Sequence, residues 1–309
     1  MTPMDPHGLL TRLWDQLQGV PQPSGRYVVL DVFTEHRWQG NQLAVFADGA
    51  SYTTSEMQQV ARELNLSETV FLLAGGGGLD FNVRIFTPSV ELPFAGHPVL
   101  GAGVLAGWAL NRPRVAIGTS AGAIPLELVQ HPGWVCSARM RQPLPNFEPF
   151  PAERQLLDAL GVARSRLPLE LYCNGPRYVY VELENEAAVA ALQPDMARLA
   201  DLGPISVSCF AQVGARFKVR VFAPAAGIAE DPATGSAAGP LALHLARHGR
   251  TQFGEEIEIV QGEELGRPST LQARAVGSGD SVEAIEVAGS AVLAAVGSLI
   301  HADTSSTTR

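Results

Sequence analysis

An internal repeat constrains the fold of this chain more than any other feature of its sequence. The segment Val83–Pro88 (VRIFTP) recurs in the second half of the chain as Val219–Pro224 (VRVFAP). Each copy ends at a proline and leads into a loop that carries a carboxylate, followed by a turn of small residues at 95–98 and at 234–237. Because the same kinds of segment follow both copies, we expect two structurally similar domains.

The segments after these small-residue turns predict buried helices. Val99–Leu110 and Ala238–His248 are apolar nearly all round, and a helix of that kind must be enclosed on every side. The 31 glycines and 22 prolines are scattered along 309 residues, which indicates many short strands joined by tight turns. Each domain is therefore predicted to be a sheet rolled around its own central helix.

The charge of the chain excludes nucleic acid as a partner. A net charge of -9 and a pI near 5.3 repel a phosphate backbone, and no lysine and arginine cluster is interleaved with aromatic residues. The N-terminal segment lacks the basic and apolar regions of a signal peptide, and no stretch approaches the length of a membrane span. We expect a cytoplasmic protein with no membrane partner.

The spacing of cysteines and histidines predicts no metal site. Cys136, Cys173 and Cys209 are far apart and form no CxxC pair, which favours reduced core residues over a disulfide framework or a zinc site. His244 and His248 lie four residues apart on one predicted helix, but no HExxH glutamate accompanies them. A glycine follows His248, which is typical of a helix C-terminus that a cation stabilises.

The small-residue turns before the two buried helices are the first candidate site. A helix N-terminus offers unpaired N–H groups and a partial positive charge, both suited to an anion, and small residues let a ligand approach. The alternative for Gly235 is close packing of the helix on the sheet, and the alternative for Ser236 is a simple N-cap. The residues alone leave both interpretations open.

Three polar residues near these segments are further candidates, each with a structural alternative. Glu68 precedes an apolar strand and could be a solvated glutamate at a strand boundary. His97 could merely cap a helix that Pro98 begins. Asp231 stands before a proline, where an aspartate commonly forms a turn.

Four groups of motifs give the chain a specific resemblance. They are DVFT at Asp31–Thr34 with GNQLAV at Gly40–Val45, NLSET at Asn65–Thr69, Thr87 and Pro88 through LPFAGHP at Leu92–Pro98, and EDPATGSAAG at Glu230–Gly239. At these residues the chain resembles the phenazine-biosynthesis F-like (PhzF-like) family, within the diaminopimelate epimerase-like fold. The similarity spans roughly residues 27–300.

The resemblance implies an α+β fold of two pseudo-symmetric domains, each a β-barrel around a central buried helix, with the active site in the cleft between them. By motif position Glu68 matches the family's catalytic acid/base, and His97 and Asp231 match further catalytic polar groups. The predicted substrate-binding residues are Gly96, Gly235, Ser236 and Ala237. The family also implies a small carboxylated substrate, no cofactor, no metal and a homodimer.

The predicted domain boundaries combine the repeat with this resemblance. A proline-rich stretch at about 141–151 is the expected crossover, and the last strand, near 289–300, is expected to return to the first domain. The predicted units are an N-terminal helical extension at 1–25, a first barrel domain at 26–142 plus 289–301, a second barrel domain at 143–288 and a disordered tail at 302–309.

One difference from other enzymes of this fold narrows the reaction chemistry that this chain can use. Epimerases and racemases of this fold place a cysteine in each of the two glycine-containing turns, and this sequence has none there. We therefore expect a cofactor-free isomerase that shifts a proton by carboxylate and histidine chemistry. An amino-acid epimerase or racemase on the same fold, and a binding or interaction protein without turnover, remain alternatives.

Overall fold

The computed structural model describes residues 25–299 as a mixed α+β fold. The strands are β1 (Arg26–Val32), β2 (Asn41–Phe46), β3 (Glu68–Ala74), β4 (Phe81–Phe86), β5 (Glu91–Leu92), β6 (Arg114–Thr119), β7 (Gly122–His131), β8 (Val135–Arg141), β9 (Asn146–Pro149), β10 (Glu170–Cys173), β11 (Arg177–Glu182), β12 (Ser206–Val213), β13 (Arg216–Ala223), β14 (Ile228–Asp231), β15 (Ile257–Gln261), β16 (Ser269–Ser278) and β17 (Ser281–Ser298). The α-helices are α1 (Thr54–Leu64), α2 (Gly96–Leu110), α3 (Glu153–Leu160), α4 (Glu186–Ala190), α5 (Met196–Ala200) and α6 (Gly235–Arg247). The predicted N-terminal extension, except Gly25, and the predicted tail lie outside the described residues.

Eight strands of the first half close around α2. The ring runs β1, β2, β3, β4, β6, β7, β8 and the C-terminal part of β17, which pairs again with β1. The β2–β3 and β4–β6 pairs are parallel, and the other ladders of the ring are antiparallel. Every residue of α2 from Gly96 to Gly107 is buried, and the helix contacts all eight strands. This half confirms the predicted barrel around a buried helix.

The second half repeats the arrangement around α6. Strands β9, β10, β11, β12, β13, β15, β16 and the N-terminal part of β17 follow one another in a curved sheet, with β11–β12 and β13–β15 as parallel pairs. Among the described ladders none joins β9 to β17. Residues 235–245 of α6 are all buried. The two copies of the sequence repeat lie on β4 and β13, which occupy equivalent places in the two sheets.

The long strand β17 belongs to both sheets. Residues 281–288 pair with β16 of the second sheet, whereas residues 291–298 pair with β1 of the first. Strand β8 pairs with residues 286–292, across the change of partners. The exchange supports a boundary near Gly289, which stays a prediction together with the other domain limits.

Both central helices begin three residues earlier than predicted. Helix α2 begins at Gly96 rather than Val99, and α6 begins at Gly235 rather than Ala238, so the predicted starts are wrong. Pro98 lies inside the first turn, where an N–H has no intrahelical acceptor and its loss costs nothing. The small-residue segments are therefore the first turns of the helices themselves.

Candidate active site

The N-termini of α2 and α6 meet in the centre of the molecule. A Cβ atom on Gly96 would collide with the backbone N of Ser236, and one on Gly235 would lie 3.2 Å from the carbonyl carbon of Gly96. Only glycine allows this approach. Each helix end carries roughly half a positive charge and N–H groups without intrahelical acceptors. The contact therefore creates a place suited to an anion.

A small pocket opens at this contact, between segments of both sheets. Its lining includes six of the predicted site residues, namely Glu68, Gly96, His97, Asp231, Gly235 and Ser236. The predicted substrate-binding residue Ala237 does not line it. Its N–H is donated to the Thr234 carbonyl at 3.0 Å and its carbonyl accepts from the Tyr180 hydroxyl at 2.8 Å.

Glu68 reaches the pocket because of the way α1 ends. Asn65 takes the left-handed conformation (φ 51°) after α1, and the chain then turns into β3, whose first residue is Glu68. Glu68 is only 8% exposed, so the solvated alternative is wrong. Its Oε2 has no hydrogen-bond partner among the described residues and lies 3.4 Å from His97 Nε2. Burial, and secondarily the charge of Asp231, raise the pKa of Glu68 well above its usual range.

His97 is a buried, neutral partner for this carboxyl group. It is the second residue of α2, and Ala95 is the N-cap, so His97 does not cap the helix. Burial lowers the pKa of His97 to about 3. On its other side, Nδ1 lies 3.1 Å from Asn41 Nδ2. A protonated Glu68 and a neutral imidazole can place one hydrogen between Oε2 and Nε2.

Asp231 has the opposite surroundings, since its carboxylate is well supplied with donors. Asn41 Nδ2 lies 2.8 Å from Oδ1, the Ser67 hydroxyl 3.0 Å from Oδ1, and the Thr234 hydroxyl 2.6 Å from Oδ2. Burial raises the pKa of Asp231 to about 6, and these three hydrogen bonds oppose the rise. Glu68 Oε2 has no such donors among the described residues to oppose the rise that burial causes in its pKa.

Ser236 shares a hydrogen bond with a tyrosine from the second sheet. The Ser236 Oγ lies 2.6 Å from the hydroxyl of Tyr178, which is fully buried. Burial raises the pKa of Tyr178, so the phenol keeps its proton. Only one of the two hydroxyl hydrogens is used between them, which leaves the other for a ligand in the pocket. Thr234, not Ser236, is the N-cap of α6.

Sequence reasoning missed several residues of this network. Asn41 joins the two halves, because its Nδ2 also donates to the Ala233 carbonyl at 2.9 Å. Gln261 Nε2 donates to the Asp231 carbonyl at 2.7 Å. Asn41 and Ser67 stood inside the motifs quoted above, which was the only available signal. Tyr178 lies on a strand with alternating tyrosines, a pattern that by itself indicates core packing.

A second polar cluster lies at the C-terminal end of α6. Ligand atoms of Glu170, His244 and His248 lie within 4.8 Å of one another, as they could around a metal ion. The same Glu170 oxygen accepts from Arg247 Nη1 at 2.7 Å and from the Tyr172 hydroxyl at 2.9 Å. Burial opposes the effect, but hydrogen bonds with His244 and His248, and then with Arg247 and Tyr172, hold the pKa of Glu170 below its usual range. A guanidinium at this oxygen repels another cation, so we treat the cluster as an ion-pair network.

The fold is of the diaminopimelate epimerase-like class. A crystal structure of a probable proline racemase from Agrobacterium radiobacter K84 superposes with a TM-score of 0.62 at 13% identity, covering 92% of this chain and 95% of that one. The family is more specific. The chain belongs to the phenazine biosynthesis-like protein (PhzC-PhzF) family, whose profile matches residues 30–297.

Relatives of known name agree with this assignment. Trans-2,3-dihydro-3-hydroxyanthranilate isomerase of Pseudomonas aeruginosa is 47% identical over 272 residues, which cover 88% of this chain and 98% of the relative. The enzyme of that name from Pseudomonas chlororaphis is 45% identical, covering 89% and 99%. A predicted epimerase of Pseudomonas aeruginosa has a solved structure with a TM-score of 0.79 at 31% identity, covering 90% and 100%. The predicted family, fold class and isomerase class are confirmed.

The structure also bears on the membrane prediction. None of the helices described within residues 25–299 is long and apolar enough to cross a membrane.

Proposed function

We propose that this chain is a cofactor-free isomerase that moves a proton between two carbons of a small carboxylated substrate, with Glu68 as the acid and base. One observation carries the proposal. Glu68 is a buried carboxyl group whose Oε2 is without a hydrogen-bond partner among the described residues, and it faces a neutral His97 at 3.4 Å inside the pocket. A raised pKa lets such a group accept a proton and give it back near neutral pH.

The paired helix ends support a carboxylated substrate. The first-turn N–H groups at Gly96, Gly235 and Ser236 have no intrahelical acceptors, and both helix ends attract negative charge. The free hydroxyl hydrogen of the Tyr178 and Ser236 pair adds a donor on the same side. A substrate carboxylate bound there lies next to Glu68.

The proposed step involves one proton and one electron pair. The ionised Glu68 takes a proton from a carbon of the substrate, and the electron pair of the broken C–H bond is delocalised into a conjugated ring system. The protonated Glu68 then returns the proton to another carbon, so the substrate keeps its composition and oxidation state. Asp231 stays charged and fixes Asn41 and Thr234, while His97 orients the Glu68 carboxyl group.

The relatives support one particular substrate. Three enzymes that are 44% to 47% identical to this chain over 98% or more of their length are named for the isomerisation of trans-2,3-dihydro-3-hydroxyanthranilate. This compound combines a carboxylate with a partly unsaturated ring, as the pocket and the proton step require. We propose it as the substrate here.

A glutamine variant tests the role of Glu68. Glu68→Gln keeps the size of the side chain but cannot accept a proton, so turnover of trans-2,3-dihydro-3-hydroxyanthranilate should fall by about 10²- to 10⁴-fold with little change in Kd. Glu182→Gln is the matched control, because Glu182 is also buried but pairs with Arg250 outside the pocket. Wild-type turnover by Glu68→Gln would exclude Glu68 as the base.

Exchange in deuterated water separates this proposal from the two alternatives. Label uptake into free amino acids would favour a racemase or epimerase, and binding without label uptake would favour a protein without turnover. Cysteine chemistry has no support in the pocket, because none of the described lining residues is a cysteine.

The homodimer and the cytoplasmic location stay predictions. The dimer follows only from the family resemblance, and sedimentation at micromolar protein tests it.

A further inference from the structure

Phe33, at the end of β1, has an unusual backbone conformation that both sheets hold in place. Its φ is 66°, a left-handed value that is rare for a bulky residue, and its side chain is fully buried. The Phe33 N–H is donated to the Ser290 carbonyl at 2.7 Å, and its carbonyl accepts from the Thr270 N–H at 2.9 Å. A strained conformation that is held from two sides calls for a reason in the surroundings of the side chain.

The ring of Phe33 fits between two glycines. A Cβ atom on Gly235 would lie 2.6 Å from Phe33 Cζ, and a Cβ atom on Gly289 would collide with Phe33 Cδ1. Gly235 is the first residue of α6 and lines the pocket, whereas Gly289 lies on β17 where that strand changes sheets. The ring therefore packs directly against the helix end that we assign to the substrate carboxylate.

Phe33 also lines a second cavity, which we call the outer cavity. It has a volume of about 430 Å³, and its lining also includes His36, Arg216 and Ser290. Phe33 lines this outer cavity but not the pocket, and Gly235 lines the pocket but not the outer cavity. Phe33 thus connects the two spaces, because it lines the outer cavity and packs against Gly235, which lines the pocket with Glu68.

We propose that Phe33 is a positioning residue whose ring holds the Gly235 end of α6 at its working distance from Glu68 and keeps water in the outer cavity away from the pocket. The proposal rests on the function proposed above and deepens it. Phe33 touches no reacting atom. It affects catalysis by fixing the position of the Gly235 and Ser236 amides and by keeping water out of the pocket.

Two substitutions change the ring in opposite ways. Phe33→Leu removes the ring edge at Gly235, and Phe33→Tyr adds an oxygen at Cζ, a ring atom that packs against Gly235. Displacement of a binding group by about 1 Å can cost about 100-fold in rate, so kcat should fall by about 10- to 100-fold in both variants. Water that enters in Phe33→Leu should stabilise the charged form of Glu68, so the acid limb of kcat/KM should move to lower pH.

A matched control separates positioning from loss of packing. Phe81→Leu removes a ring that is equally buried but lies at the start of β4, away from the pocket lining. It should lower stability as Phe33→Leu does, with kcat within about threefold of wild type and an unmoved acid limb. The proposal is wrong if Phe33→Leu and Phe81→Leu have the same kcat and the same pH profile.

Compensation at Gly289 gives a second test. Gly289→Ala should push the Phe33 ring toward Gly235 and lower kcat, and the double variant with Phe33→Leu should recover part of that loss because the smaller side chain leaves room. Additive losses would contradict the packing that we infer.

A readout without turnover keeps this proposal separate from the proposed function. The ¹⁵N amide signals of Gly235 and Ser236, and their response to added benzoate, should change in Phe33→Leu and stay as in wild type in Phe81→Leu. If wild type fails to turn over trans-2,3-dihydro-3-hydroxyanthranilate, the proposed substrate is wrong, but these amide signals still decide the role of Phe33. Unchanged amide signals in Phe33→Leu would overturn the proposed positioning role of Phe33.

Discussion

Asn174 Nδ2 donates a hydrogen bond to the carbonyl oxygen of Ser236 at 3.0 Å, in the first turn of α6. That oxygen would normally accept from the N–H four residues later, but Pro240 stands there and has no N–H. The side chain thus replaces the donor that the proline removes. Gln142 Nε2 also donates a hydrogen bond to the neighbouring Gly235 carbonyl, at 2.8 Å. Side chains from the surrounding sheet therefore fix the orientation of this helical turn.

We predict that Asn174→Ala destabilises the protein by about 1–3 kcal/mol, because it leaves the buried Ser236 carbonyl without a donor. In a Pro240→Ala background the restored N–H can serve that carbonyl, so the same substitution should cost clearly less. Urea unfolding of the four proteins of this double-mutant cycle measures the coupling. Equal costs in the two backgrounds would show that Asn174 does not compensate for Pro240.

The contact between the two helix ends gives a second prediction. Gly96→Ala places a Cβ against the Ser236 backbone N, which cannot move aside without shifting α6. We expect at least a 100-fold loss of kcat/KM together with reduced stability. Gly103→Ala, on the same helix, meets only the tip of the flexible Leu126 side chain at 2.6 Å and should keep most activity. Steady-state kinetics and thermal unfolding of both variants test the contrast.

Much of this architecture was predictable because it depends on patterns that are local or repeated. The repeat at 83–88 and 219–224 predicted two similar sheets, and the two apolar helices predicted what those sheets enclose. The helix starts were wrong because the apolar runs begin at Val99 and Ala238, whereas the three residues before each run already form the first helical turn.

The site was predictable only in part, for a related reason. Glu68, His97 and Asp231 stood in recognisable motifs, but two of the three donors that distinguish Asp231 from Glu68, Asn41 and Ser67, come from distant segments. No local pattern predicts the contact between Asn41 and Asp231, since that contact depends on how the two halves pack. Ala237 followed the motif, yet the helical geometry turns its backbone groups away from the pocket.

The raised pKa of Glu68 also predicts how stability depends on pH. A carboxyl group whose folded pKa lies above its unfolded value binds more protons in the folded state, so stability is full below the unfolded pKa and falls as pH rises. Glutamine does not ionise. Because burial raises the pKa of Glu68, we expect Glu68→Gln to be more stable than wild type at pH 8 and nearly equal to it at pH 4.

Chemical denaturation across this pH range measures the difference. Glu182→Gln should behave in the opposite way at pH 8, because it breaks the 2.7 Å ion pair with Arg250. A Glu68→Gln protein that is less stable than wild type at pH 8 would mean that the fold does not raise the pKa of Glu68.

The hydrogen bond from Thr234 to Asp231 sets the last prediction, which concerns the pH dependence of activity. Thr234→Val keeps the shape of the side chain but removes the 2.6 Å hydrogen bond to Oδ2, so the charged form of Asp231 loses support and the pKa of Asp231 rises above about 6. Protons then leave the coupled Asp231 and Glu68 pair at higher pH. The acid limb of kcat/KM should move to higher pH, with the alkaline plateau lowered less than the rate at pH 6.

Thr69→Val is the matched control, because Thr69 is fully buried beside Glu68 while its hydroxyl has no hydrogen-bond partner among the described residues. Its pH profile should match wild type, and a Thr234→Val profile that also matches would show that this hydrogen bond does not tune the pair.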